Sequence, residues 1–139
     1  MRNVLGVEDA DHEESSPDAP RLAVTLLSCS LVGQGGTVLI RPGSRAAALY
    51  GCEQAVESYW CNYGVGPEYA ELLDDGGLSV SGWSKDGEIR IVELRSHPFF
   101  VGTLFLPQLR STPAEPHPLL EGFVAAARAQ RPEVSTKPR

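Results

Sequence analysis

Apolar and polar positions alternate along the chain in short runs of β type, with a few helical stretches between them. Residues 22–28 and 37–41 are rich in Leu, Val, Ile and Thr and read as strands, and Gly33-Gln34-Gly35-Gly36 between them predicts a hairpin turn. Residues 78–84, 88–94 and 99–105 repeat the pattern, separated by Lys85-Asp86-Gly87 and Arg95-Ser96-His97-Pro98, which predicts an antiparallel meander. The last run is the bulkiest and reads as a buried strand covered on both faces. Leu106-Pro107 marks its exit, because proline cannot donate to a sheet ladder. Side chains at 106 and 108 then stand at the mouth of the sheet, where α/β proteins place their chemistry.

Helical signals fill the intervals. Ser44 is placed to cap a short alanine-rich helix over 45–50, and Pro67 opens another over 66–74 that Asp75-Gly76-Gly77 stops. Residues 119–129 carry Leu119, Leu120, Phe123, Val124 and Ala127 at helical spacing, a face expected to dock on the sheet. At the start, residues 1–5 with Gly6 behind them read as the end of a helix too short to stand alone, which predicts further chain ahead of Met1. Residues 8–18 form an acidic stretch. Asp9, Asp11, His12 and Glu13 offer hard ligands, but the spacing fits no calcium loop, so a solvated loop without metal is expected. Residues 130–139 are polar, include two prolines and read as a disordered tail, leaving one domain over 1–129.

The totals narrow the function classes. A chain of 139 residues can bury a single core, and 42% hydrophobic content is ordinary for a globular protein. The net charge of -6 argues against a nucleic-acid partner, which needs a basic face to displace counterions. Cys29, Cys52 and Cys61 show no paired CxxC spacing and suit reduced thiols in a cytoplasmic protein. Residues 22–29 mimic a signal peptide ending in cysteine, yet an acidic stretch precedes them where a basic leader is required, so neither export nor a membrane partner is expected. Cys61 sits among Tyr59, Trp60 and Tyr63, aromatic groups suited to lining a small-molecule pocket. It reads either as a nucleophile or as an inert buried thiol, with no neighbouring cation in sequence to favour the thiolate.

Several segments share an arrangement. His97-Pro98-Phe99-Phe100-Val101, Phe105 and Pro107 lead into Pro116-His117-Pro118-Leu119 and Gly122-Phe123; upstream stand Asn3-Val4-Leu5-Gly6 with Asp9-Ala10, and Arg41-Pro42-Gly43-Ser44-Arg45-Ala46 with Tyr50-Gly51. This series resembles the C-terminal, class I glutamine amidotransferase domain of CTP synthase, with its HPFFVxxQFHPE strand, PHPLxxGF helix start, NVLGxxDA and KPGSxAxxxYG segments. It is also similar to stand-alone proteins related to that region. The likeness runs from about residue 3 to residue 127.

The resemblance implies an α/β fold of the class I glutamine amidotransferase-like (flavodoxin-like) kind, carrying the antiparallel meander but without the N-terminal half that holds the nucleophile elbow. It also implies what has changed. The family's histidine base and its carboxylate orienter fall at Leu106 and Gln108, where leucine cannot accept a proton and an amide cannot steady an imidazolium. Residues 53–63 fall where the family has a basic ERHRHRYEVN stretch; Tyr59 and Asn62 match, and with Trp60 they are the expected substrate-binding residues. His97 and His117 have counterparts beside the family's catalytic histidine, which implies turn or cap roles for both. The expected protein is a divergent relative that is not a competent glutaminase as it stands, and that acts as a binding or regulatory module for a glutamine-like or nucleotide-related ligand. No cofactor is expected, and self-association into a homo-oligomer is an open expectation. The alternative is a cysteine-dependent hydrolase or amidotransferase, using Cys61 or an upstream half-domain.

Overall fold

A computed structural model describes residues 1–131. The greater part of the expected tail, from residue 132 on, lies outside the described residues. The elements run α1 (Arg2–Leu5), β1 (Ala10–His12), β2 (Arg21–Leu26), β3 (Gln34–Ile40), α2 (Arg45–Tyr50), β4 (Gln54–Tyr59), β5 (Tyr63–Val65), a 3-10 turn (Pro67–Tyr69), α3 (Ala70–Asp75), β6 (Leu78–Trp83), β7 (Ile89–Leu94), β8 (Val101–Thr103), a second 3-10 turn (Pro107–Arg110) and α4 (Pro118–Ala129). The described residues form a mixed α/β structure with two sheets. One is β1-β2-β5; the other is an antiparallel sheet in the order β4-β3-β6-β7-β8.

The meander β6-β7-β8 is as the sequence pattern predicts, and so is the Ser44 cap. Ser44 accepts from the Ala47 amide at 3.0 Å to start α2, while Gly51 ends it at a φ of 68°. Four expectations are corrected. Residues 22–28 and 37–41 do not make a hairpin: β2 pairs with β1 and β5, whereas β3 pairs with β4 and β6. The misleading signal is Gly35 and Gly36, which lie inside β3. A side chain at Gly36 would come within 3.2 Å of the Tyr59 ring, so this glycine serves close packing rather than a turn. Second, the expected strand over 99–105 shrinks to β8, at the edge of the sheet, with Phe100 exposed. The His97 ring accepts from the Phe99 amide at 3.1 Å and holds 96–99 in a turn, which uses up the front of that run. Third, the acidic stretch contains β1, recruited by parallel pairing with β2.

The fourth correction concerns α4. Its first turn enters the main core, where Leu119 meets Val38, Ile40, Ala46, Tyr59, Ile91 and Phe105. Beyond that turn the helix lies on α2 and on the 99–107 segment rather than along the sheet, leaving Leu120, Phe123 and Val124 exposed. A second cluster of Leu73, Leu78, Val80 and Ile89 packs under α3. Among the described residues no helix is long and apolar enough to cross a membrane.

Candidate functional site

The end of β8 is built by backbone. Thr103 donates its hydroxyl to the Phe105 carbonyl at 2.9 Å, and the Leu106 amide donates to the Ser58 carbonyl on β4, also at 2.9 Å. Pro107 then opens a 3-10 turn, as expected of a residue whose missing N–H is harmless there. These bonds hold Leu106 half-buried beside β4 and turn Gln108 out to solvent. Phe105 is buried against the Tyr59 ring in an edge-on contact at 6.1 Å, and the Arg90 guanidinium lies 5.5 Å over the same ring. Burial raises the Tyr59 hydroxyl above its ordinary value, with Arg90 pulling the other way.

The four residues expected to carry recognition or nucleophilic chemistry do not converge. Tyr59 is 2% exposed and belongs to the core, while Trp60 is 63% exposed, its ring covering Gly33. Asn62 is exposed, and its carbonyl accepts from the Leu27 amide at 2.7 Å. The Cys61 thiol donates to the Tyr63 carbonyl at 3.0 Å and accepts from the Tyr63 amide at 3.4 Å. The structure does bring Leu106 alongside Ser58, the neighbour of Tyr59, so the strand end and the β4 end share one rim. Among the described residues no three metal-ligating side chains cluster.

Sequence reasoning passed over a polar node beside that rim. Glu57, 2% exposed, follows the inward alternation of β4 two positions before Tyr59, which was the available signal. Its Oε1 accepts from the Tyr50 hydroxyl at 2.6 Å and lies 3.0 Å from His117 Nε2. His117 caps α4, its Nδ1 accepting from the Leu119 amide at 3.2 Å, so the ring proton sits on Nε2 and points at Glu57. Both ring nitrogens are committed. A cleft of about 360 Å³ runs past Tyr50, Cys52, Glu57 and His117, but the imidazole has no lone pair left to activate a thiol. His97 and His117 therefore occupy the turn and cap positions expected of them.

No protein-family model matches the chain. In sequence it is 39% identical over 134 residues to the CTP synthase of Rubrobacter xylanophilus, covering 90% of this chain and 24% of that protein. It is 40% identical over 136 residues to the CTP synthase of Carboxydothermus hydrogenoformans, covering 91% of this chain and 25% of that protein. The chain thus spans about a quarter of the length of the curated relatives it matches, in their C-terminal amidotransferase region. Among solved structures, the glutaminase domain of Trypanosoma brucei CTPS with bound acivicin superposes with a TM-score of 0.85 at 28% identity, over 99% of this chain and 58% of that one. Agreement in sequence and in architecture makes the chain a relative of CTP synthase that carries the class I glutamine amidotransferase-like fold of its glutaminase domain.

Proposed function

We propose that the chain is a binding or regulatory relative of the CTP synthase glutaminase domain, taking a glutamine-like or nucleotide-related small molecule without hydrolysing glutamine. The observation that carries this reading is the pair Leu106 and Gln108. The strand end that would present a base and its carboxylate is kept, pinned to Ser58 by the Leu106 amide, while neither side chain can hold or move a proton. An enzyme that loses members of a catalytic unit keeps little of its rate, because those groups act together. The Trypanosoma brucei relative holds acivicin, which supports a small ligand on this fold. Three free thiols fit a cytoplasmic protein, and a second copy of the chain is its expected partner.

The cysteine-dependent alternative meets an obstacle at Cys61, whose thiol is already engaged by both the carbonyl and the amide of Tyr63. The two readings separate in one experiment. Ammonia release from glutamine is measured for the 139-residue chain and for Cys61→Ala, alongside melting temperature with glutamine, UTP and CTP. We expect no ammonia above the uncatalysed rate and a saturable rise in melting temperature with one of the three ligands. Ammonia release that disappears in Cys61→Ala would sink the binding reading and establish the enzyme.

A further inference from the structure

A cleft of about 470 Å³ lies at the C-terminal end of β3, between the turn 41–45 and the strands β6 and β7, away from Leu106 and Gln108. Arg41, Arg45 and Arg95 line it together with Ser79, Ser81 and Glu93. Both carboxylates of the region are already engaged. Asp74 takes the Arg41 guanidinium through two hydrogen bonds, of 3.2 and 2.9 Å, and the Val80 amide at 2.9 Å. Glu93 accepts from the Arg45 and Ala46 amides at 3.1 and 2.8 Å. Three guanidinium groups face two carboxylates, so the wall is locally cationic in a chain whose net charge is -6.

The donors left over point to a ligand. Ser79 and Ser81 are 3% and 1% exposed, and among the described residues neither hydroxyl has a hydrogen-bond partner. Arg45 Nη1 is likewise buried and unpartnered, although Nη2 donates to the His97 carbonyl at 3.2 Å and the group stacks over Phe99 at 5.5 Å. Unpaired buried donors cost stability, and a fold has no packing reason to gather three of them around one cleft. Nor does Ser81 sit in regular β structure. Val80 pairs with Val92 and Gly82 with Ile91, so Ser81 is the extra residue of a bulge, a device that re-aims a side chain.

We propose that this cleft binds a tetrahedral oxyanion, the phosphoryl group of a phosphorylated small molecule, with Arg45, Arg95, Ser79 and Ser81 as its donors. A planar carboxylate is satisfied by a single guanidinium fork. Donors converging from β6, the 41–45 turn and the residue after β7 instead suit three terminal oxygens that diverge. The cleft exceeds what a bare phosphate fills and falls within the range of roughly 300–1,000 Å³ typical of small-molecule sites, which leaves room for the rest of the molecule. The assignment is independent of the reading at Leu106 and Gln108.

The test is calorimetric titration of the full chain with inorganic phosphate and ribose 5-phosphate, against malonate and against chloride at matched ionic strength. Phosphate and ribose 5-phosphate should bind saturably, with malonate at least about tenfold weaker and chloride silent. Arg95 is exposed, so Arg95→Gln keeps the fold and should weaken phosphate binding about tenfold. Ser81→Ala removes a buried unpaired hydroxyl, so it should melt no lower than the parent without ligand and still lose about tenfold in phosphate affinity. Heats that follow ionic strength alone, or two variants that bind like the parent, would overturn the site. Malonate binding as well as phosphate would overturn the tetrahedral assignment.

Discussion

Tyr50 donates to the buried carboxylate of Glu57, and its own burial together with that bond shapes how the protein responds to alkali. Burial, reinforced by the hydrogen bond to Glu57, pushes the Tyr50 hydroxyl far above its ordinary value of 10.0. The folded state therefore keeps its proton where the unfolded chain loses it. Stability from this group is complete below pH 10 and falls as the pH rises beyond that, because the folded state then binds the extra proton. Tyr50→Phe should cost about 1.5–3 kcal/mol at pH 7, the range for a hydrogen bond to a charged group, and should flatten the alkaline fall. Urea unfolding from pH 7 to pH 11 checks both, and an unchanged alkaline slope would remove Tyr50 from the account. Some slope should persist in the variant through Tyr59, whose hydroxyl is also raised by burial. Glu57 Oε2 is buried without a partner among the described residues, so the node is held by its other oxygen alone.

Strand geometry rests in the same way on one small residue. Gly82 sits at the β6 bulge, where a Cβ would come within 2.6 Å of Ile91 Cγ1 and 3.0 Å of Ile91 Cβ. Ile91 is 1% exposed and locked in the main core, so it has nowhere to move. Gly82→Ala should therefore destabilise by about 1–3 kcal/mol through overpacking, read as a lower urea midpoint at constant slope. A midpoint equal to the parent's would show that the bulge relaxes.

That bulge also shows where sequence reading stops. Elements whose boundaries are local chemistry were legible: the Ser44 cap of α2, the Pro67 start before α3, and the meander with its polar turns. Elements fixed by partners distant in sequence were not. Nothing near Leu22 says that β2 pairs with residues 10–12 and 63–65, and Gly36 looks like a turn residue until Tyr59 is seen against it. The place of Leu106 and Gln108 past the end of β8 was legible because the flanking His97 to Pro107 series fixes it. Glu57 was not, since one acid in a polar segment carries no mark of the buried tyrosine and histidine that meet it.

For the molecule as a whole, what remains uncovered is more telling than what is buried. Phe100, Leu109, Leu120, Phe123 and Val124 are each between 38% and 55% exposed, on α4 and on the segments flanking β8. Phe99, Leu119 and Leu120 line a shallow cleft of about 270 Å³ there, and β8 offers its outer edge to any further strand. A monomer seldom leaves bulky apolar side chains beside an open sheet edge, because together they template association. Within the reading of a self-associating protein, this face is where a second copy would meet the first. Light scattering over a range of concentrations should then show mass growing above that of one chain. Phe123→Glu places a charge in the middle of the face and should return the chain to a monomer. The same change should alter stability by no more than about 1 kcal/mol, because Phe123 is 55% exposed and its described ring contact is Phe99 at 5.7 Å. A parent protein that stays monomeric throughout would end the self-association reading, and a Phe123→Glu variant that associates like the parent would move the contact to another face.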